Sequence, residues 1–170
     1  FRDMPPVILH KVPVAQANIG EFVVDAALVC HPGPTVGYRI TCGGASIAYI
    51  PDHEPELRVR RSALQGNWTS GVDLAAGVDL LIHDAQYTDD EYDTRVGWGH
   101  SSIRQAFQFA SQARVKHLVP FHHDPTHIDE YLDALMTDSM ALMDTPFEVT
   151  PGTEGLTFRS APRFAQPRAL

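Results

Sequence analysis

The sequence lacks the features that mark several specialised classes of protein. Cys30 and Cys42 are its only cysteines. Two cysteines are too few for a disulfide framework, so we expect reduced thiols. The apolar runs all fall short of the roughly 18 residues that a membrane-spanning helix needs, and the N-terminus carries no signal-peptide pattern. These absences predict a soluble, cytoplasmic protein with no membrane partner.

Positive charge is also scarce. Lysine and arginine total 13 against 21 acidic residues, for a formal net charge of −8, so the electrostatic footprint of a general nucleic-acid binder is missing. Arg58, Arg60 and Arg61 form a close basic cluster. We interpret this cluster as a solvated face or loop, with phosphate contact as the alternative.

The composition that remains is ordinary for a globular domain, with 44% hydrophobic and 20% charged residues. We expect a single domain over residues 1–160 and a loose tail over residues 161–170. Residues 1–20 are typical of irregular structure around a short apolar stretch at 7–9. Because the chain starts at Phe1 and not at Met, we expect it to be a piece of a longer protein.

Short apolar stretches predict the strands. Gly43-Gly44 separates two of these stretches as a two-residue turn does, so we expect an antiparallel hairpin there. The largely apolar runs at 78–82 and 118–121 suit strands that are covered on both faces. The other predicted strands are residues 21–30, 36–42, 45–50, 147–149 and 156–158.

Two helices accompany these strands, and together they predict an α/β fold. Ser102 and Gln105 form a capping box at the start of the first helix, whose apolar residues recur with helical spacing over 103–113. The second helix is predicted to begin near Thr126, with Asp129 in its first turn, and to run towards Met143.

Histidine and aspartate side chains stand directly after the predicted strands. The members of this group are His31, Asp52, His83, Asp84, His122 and His123. Because ligands gather at the carboxyl ends of strands in α/β sheets, these side chains can converge although they lie far apart in the sequence. Imidazole and carboxylate together favour zinc, manganese or iron, so we predict a metal site at this edge.

Each of these residues also has a purely structural interpretation. A single histidine after a strand is more often hydrogen-bonded within the fold than bound to a metal. Neighbouring side chains diverge, so we expect one ligand in the pair His122-His123, with the other facing solvent or substrate. The roles of His53, His123 and His127 stay open.

Five segments, in order, resemble the metallo-β-lactamase-fold hydrolases, in particular the ribonuclease Z and cyclic-nucleotide phosphodiesterase type. The segments are residues 31–40, Pro51-Asp52, residues 81–85, residues 99–101 and Phe121-His122. They are similar to a metal-binding histidine followed by Gly-Tyr-Arg, a bridging carboxylate, an Ile-His-Glu-Ala-Thr segment, a Gly-His-Ser helix start and a final Thr-His. Five matches in the right order are much harder to obtain by chance than one.

The resemblance implies a fold and a set of roles. The chain would be the C-terminal half of an αββα sandwich, a partial domain with a mixed sheet and helices on its outer face. In the complete enzyme His31 would hold one zinc ion, His122 a second and Asp52 both, with manganese or iron as alternatives. A hydroxide that bridges the ions would attack phosphorus, while His100 donates a proton or hydrogen bond and Asp84 orients its imidazole.

The family signature His-x-His-x-Asp-His does not occur in the sequence. Three ligands divided between two cations are too few for closed metal sites. We therefore expect the chain alone to be inactive as a phosphodiesterase, and to form a homo-oligomer or require a missing N-terminal half. The alternative is a non-catalytic binding or scaffold module that kept the fold and lost the site.

Charge also shapes the expected substrate. The transfer-RNA-processing members of the family usually need a Gly/Pro-rich basic arm, and no such segment occurs in these 170 residues. Since the net charge is negative as well, we expect a small phosphodiester in preference to structured RNA.

Overall fold

The fold is built on one mixed β-sheet. The computed structural model describes residues 15–55 and 69–159, and within them seven strands pair in chain order. The strands are β1 (Gln16–Ile19), β2 (Phe22–Val29), β3 (Thr35–Cys42), β4 (Ala45–Ile50), β5 (Leu80–Asp84), β6 (His117–Phe121) and β7 (Glu148–Val149). The predicted α/β fold with a mixed sheet is confirmed.

The sheet has an antiparallel part and a parallel part, which meet at β4. Pairs from β1 to β4 are antiparallel, and pairs from β4 to β7 are parallel. It follows that β2, β4, β5 and β6 all run in the same direction. Their carboxyl ends therefore lie at one edge of the sheet, which we call the carboxyl rim.

The hairpin between β3 and β4 forms where the two glycines predict it. Cys42 pairs with Ala45, and the intervening Gly43 and Gly44 have φ angles of 57° and 82°. A two-residue turn that matches the strand twist needs positive φ at both central positions, which glycine adopts without steric cost.

Helix α3 is capped and buried as its sequence predicts. The helices are α1 (Val72–Ala75), α2 (Asp89–Asp93), α3 (Ile103–Ala113) and α4 (Asp129–Leu142). Ser102 Oγ accepts a hydrogen bond from Gln105 N, and the Gln105 side chain accepts one from Ser102 N. Phe107 of α3 is fully buried in the core, together with Leu81 of β5 and Leu118 of β6. This packing fixes the start of α3 against the sheet.

The predicted start of the second helix is too early. Helix α4 begins at Asp129, behind Ile128, which makes no side-chain cap hydrogen bond. Thr126 donates from its backbone N and its Oγ1 to Asp124 Oδ1, at 2.9 and 2.6 Å. This local turn competes with helix initiation at Thr126. Met136 is the buried residue of α4.

Only the first of the two predicted closing strands forms. β7 pairs with β6, and Thr150 N then donates to the Leu118 carbonyl beside β6. Residues 156–158 do not join the sheet, because Leu156 N donates to the Thr153 carbonyl within a turn. The residues that follow β7 continue along β6, where Gly152 N donates to the Pro120 carbonyl.

None of the described helices is both long and apolar enough to cross a bilayer. Other expectations concern parts of the chain outside the described ranges. These are the basic cluster of Arg58, Arg60 and Arg61, the apolar stretch at 7–9 and the tail at 161–170.

Candidate metal centre

The carboxyl rim brings the predicted site residues together. His31 follows β2, Asp52 follows β4, and Asp84 is the last residue of β5. His122 directly follows β6, and His100 lies just before α3. The shared direction of these four strands explains the convergence, because ligands collect where parallel strands end.

Three of these side chains direct ligand atoms at a common volume. One nitrogen or carboxylate oxygen from each of Asp52, His100 and His122 lies within 4.8 Å of the other two. His31 Nε2 stands beside this trio, 4.0 Å from Asp52 Oδ2. The trio thus contains two predicted ligands and the predicted proton donor, with the third predicted ligand at its border.

The orientation of His31 is set by its own loop. His31 Nδ1 lies 3.2 Å from the Gly33 carbonyl oxygen and 3.1 Å from Gly33 N. When Nδ1–H donates to the carbonyl, Nε2 keeps its lone pair, and Nε2 is the nitrogen closest to Asp52. Metal-binding histidines are commonly fixed by such a contact on the other ring nitrogen.

His122 occupies a strained position with an unpaired nitrogen. Its φ angle is 62°, a conformation that non-glycine residues seldom adopt and that clusters at functional sites. Its buried Nδ1 has no hydrogen-bond partner among the described residues, and lies 3.6 Å from Asp52 Oδ1 and 3.7 Å from Asp84 Oδ2. An imidazole nitrogen facing carboxylate oxygens fits the donor set of a zinc-like cation.

The electrostatics of His122 follow from these neighbours. The Asp84 carboxylate raises the pKa of His122 against the opposing effect of partial burial, and Asp52 adds to the increase. A cation placed between these groups would occupy a region that already carries negative charge. The rim therefore suits a positive ligand.

Asp84 and His100 form a close pair at the same rim. Asp84 Oδ2 lies 2.7 Å from His100 Nδ1, and the carboxyl group also accepts hydrogen bonds from His53 N and Gln86 N. Burial by itself would raise the pKa of Asp84, but its contacts with His100, His122 and backbone N–H groups lower that pKa overall. Asp84 is thus a buried carboxylate that holds His100 through Nδ1.

His53 and His83 form a second pair, enclosed behind the rim. His53 Nδ1 lies 2.9 Å from His83 Nε2, and both side chains are fully buried. Burial lowers the pKa of His83 to about 4 and, aided by His83, lowers the pKa of His53 well below its usual value. Phe109 stacks on His83 with ring centroids 4.6 Å apart. Both imidazoles are therefore neutral at pH 7.

Two further histidines follow His122 and are held by the fold. His123 Nδ1 lies 3.2 Å from the Ala85 carbonyl oxygen, and His127 Nε2 lies 2.8 Å from Glu91 Oε1. The side chain of His123 thus turns towards the backbone beside β5, and burial lowers its pKa.

Sequence reasoning missed a buried carboxyl group behind the rim. Glu54 is fully buried and accepts hydrogen bonds from Tyr92 Oη, Gly97 N and Gly99 N. Its place two residues after Asp52 is the one signal that the sequence offered. Spacing and composition say nothing about its partners, which lie far along the chain.

Comparison with known proteins places this arrangement in a family. Residues 12–123 of the 170 match the family described as beta-lactamase superfamily domain. Ribonuclease Z from Brevibacillus brevis is 34% identical over 107 residues, which cover 63% of this chain and 30% of that protein. Ribonuclease Z from Thermococcus onnurineus is 32% identical over 118 residues, which cover 69% and 32%. The chain thus spans about a third of the length of these relatives.

Solved structures show the same fold. The metallo-β-lactamase fold protein YhfI from Bacillus subtilis superposes with a TM-score of 0.65 at 19% identity, over 87% of this chain and 54% of that one. The short form of human tRNase Z gives a TM-score of 0.52 at 31% identity, over 64% and 38%. The predicted family resemblance is confirmed.

These relatives contradict the predicted preference for a small phosphodiester. They are named as ribonucleases, and the human protein as a tRNase. The net charge misled the prediction because it averages over the chain, whereas RNA would meet only the surface around a site. The missing basic arm is an equally weak argument, since the chain covers about a third of these ribonucleases.

Proposed function

Because the chain belongs to the metallo-β-lactamase superfamily, a family of metal-dependent hydrolases, we propose that it carries the C-terminal part of the active site of an RNA-cleaving phosphodiesterase. The observation that carries this proposal is the convergence of Asp52, His100 and His122 within 4.8 Å, beside the 2.7 Å contact between His100 and Asp84. A scaffold module has no need for an unpaired buried imidazole nitrogen facing two carboxylates.

We propose that the metal site is dinuclear and takes zinc, with manganese or iron as alternatives. His31 would contact one cation, His122 the other and Asp52 both. When bound, the two cations would supply hydroxide from a shared water and offset the charge of the phosphate. His122 Nδ1 supports this assignment, because it is buried and lacks a hydrogen-bond partner among the described residues.

His100 is the proposed proton donor. Its Nδ1 is held by Asp84 Oδ2, so Nε2 is the nitrogen left to face a substrate. As the bond between phosphorus and the leaving oxygen breaks, the proton on Nε2 passes to that oxygen. Asp84 does not touch the substrate in this scheme; it fixes the orientation of the imidazole.

The three proposed ligands leave room for others from outside this chain. Zinc sites in enzymes usually have three protein ligands for each ion, and three ligands shared by two ions fall short of that number. The full activity is therefore proposed for the full-length protein, and the 170-residue chain alone is expected to bind zinc weakly.

The test is metal content and RNA cleavage by the full-length protein. Loaded with zinc, it should cleave a transfer-RNA transcript that carries extra nucleotides at both ends, and chelation with EDTA should abolish cleavage. Bis-p-nitrophenyl phosphate serves as a generic phosphodiester probe. Two bound zinc ions without cleavage of either compound would contradict the proposal. Absence of metal binding would favour the scaffold alternative.

A further inference from the structure

Glu54 ties the segment after β4 to the loop that precedes His100. Its Oε1 accepts hydrogen bonds from Tyr92 Oη at 2.9 Å and Gly97 N at 2.8 Å, and its Oε2 accepts one from Gly99 N at 2.7 Å. The side chain has no solvent exposure. Burying a carboxyl group is energetically costly unless its oxygens accept hydrogen bonds. These contacts therefore stabilise Glu54 and at the same time constrain the loop.

The consequence of this tie is greatest at Gly99. Its φ angle is +98°, and a Cβ atom there would lie 2.2 Å from His31 Cδ2 and 2.5 Å from Pro32 Cδ. The backbone of Gly99 is therefore pressed against the ring of His31, while the next residue is His100. The rings of His31 and His100 stand 5.6 Å apart. Whatever fixes Gly99 fixes the separation of these two histidines.

A second contact joins the same two segments. Ser101 Oγ donates to the His53 carbonyl at 2.6 Å, so the residues on both sides of His100 are attached to the two residues that follow Asp52. These attachments are hydrogen bonds to backbone groups, which transmit position with little freedom.

We infer that Glu54 is a positioning residue for the proposed reaction, which holds His100 and His31 at their working separation by fixing Gly99 between them. This inference rests on the proposed function. Glu54 itself touches no substrate, and its effect passes through the loop.

The variant Glu54→Gln tests the inference with little change in volume. Whichever way the amide is turned, its NH₂ group faces the N–H of either Gly97 or Gly99, so one of the two hydrogen bonds is lost. A matched control is Asp79→Asn, at the opposite end of β5. Asp79 Oδ2 accepts from Ser46 N at 2.8 Å, so that the control also removes charge from a structural carboxylate.

The experiment compares the two variants in the zinc-loaded full-length protein. Glu54→Gln should lower kcat for bis-p-nitrophenyl phosphate by about tenfold or more, since small displacements of catalytic groups are costly, with KM within about twofold of the wild-type value. Asp79→Asn should leave kcat within about twofold of the wild-type value, even if its melting temperature falls as far as that of Glu54→Gln. Equal kcat values for the two variants would overturn the inference.

A second readout does not depend on activity. In the 170-residue chain, Trp98 lies between the two glycines, and Trp68→Phe leaves it as the only indole. The fluorescence anisotropy of Trp98 should fall in Glu54→Gln and stay unchanged in Asp79→Asn; unchanged anisotropy in both would contradict the inference. If the wild-type protein shows no turnover, the proposed function fails, and the anisotropy alone decides the role of Glu54.

Discussion

Two pairs of histidines lie near the carboxyl rim and differ in almost every physical property. The rim pair, His100 and His122, has ring centroids 5.0 Å apart and faces the carboxylates of Asp52 and Asp84. The core pair, His53 and His83, has centroids 5.1 Å apart and no solvent exposure. Ring separation is nearly equal, so the surroundings decide what each pair can do.

The difference comes from the alternation of side chains along the strand ends. Asp52 reaches the rim while its neighbour His53 turns inward, and Asp84 reaches the rim while its neighbour His83 turns inward. Burial disfavours the charged imidazole and lowers the pKa of His83 to about 4. At the rim, Asp84 raises the pKa of His122. One residue type is thus a neutral packing group in the core and a polar group facing carboxylates at the rim.

The largest effect is expected from breaking the rim pair. His100→Ala in the zinc-loaded full-length protein should lower kcat by about 10²- to 10⁴-fold, because a proton donor in the transition state is lost. Zinc content should stay at the wild-type level, since His100 is proposed as a donor and not as a ligand. Steady-state kinetics and elemental analysis of the same sample measure both quantities.

The control for this variant is His117→Ala. His117 is the first residue of β6, so it lies at the opposite end of that strand from His122. Its Nε2 contacts Thr150 Oγ1. Its replacement should leave kcat within about twofold. If zinc content fell in parallel with kcat in His100→Ala, His100 would be a metal ligand. Its place in the trio with Asp52 and His122 makes this a specific alternative.

The core pair should instead govern acid stability. The pKa of His83 is about 4 in the folded chain against an ordinary value of 6.5, so the unfolded chain binds protons more readily between these values. The contribution of His83 to stability is complete above pH 6.5 and is lost as pH falls towards 4, by up to about 3 kcal/mol. Urea unfolding at several pH values measures this dependence.

His83→Gln sharpens the comparison between the pairs. The variant should be less stable than the wild type at pH 7, because a buried contact to His53 changes, but its free energy of unfolding should fall less steeply between pH 6.5 and 4. His117→Gln serves as the control and should keep the wild-type slope. Identical slopes for wild type and His83→Gln would mean that the buried imidazole is not what senses acid.

A smaller effect is expected on metal affinity when the rim loses an imidazole. His122→Ala should weaken zinc binding to the full-length protein by about tenfold or more, since even indirect contacts at metal sites are worth that much. The matched variant His123→Ala, one residue along, removes an imidazole that contacts the Ala85 carbonyl, and should leave affinity nearly unchanged. Competition with a fluorescent zinc chelator measures both, and equal losses would remove His122 from the site.

The residues at the carboxyl rim could be predicted from the sequence better than the residues that hold them in place. Asp52 and His122 could be placed at the rim because each follows a strand, and the direction of parallel strands carries such residues to one edge. The capping box at Ser102 is equally local and was confirmed. Glu54 could not be found, because its partners Gly97 and Gly99 come from a distant loop whose conformation no local pattern specifies.

The errors have physical causes of the same kind. Helix α4 starts later than predicted because Asp124 captures Thr126 in a turn, and this competition depends on the path of the chain after β6. Residues 156–158 were predicted as a strand from their apolar character, but Leu156 N donates to the Thr153 carbonyl in a local turn. The substrate preference failed because net charge does not describe a local surface.

The smallest predicted effect concerns the helix that links the two pairs. Helix α3 starts three residues after His100 and carries Phe109, which stacks on His83. Ser102→Ala removes the cap that Gln105 N donates to, and should cost about 1 kcal/mol in free energy of unfolding. Because Phe107 and its neighbours keep α3 packed on the sheet, kcat should stay within about twofold. Urea unfolding and the phosphodiester assay on one preparation measure both. A loss of kcat as large as that of His100→Ala would mean that the cap, and not Asp84, determines where His100 lies.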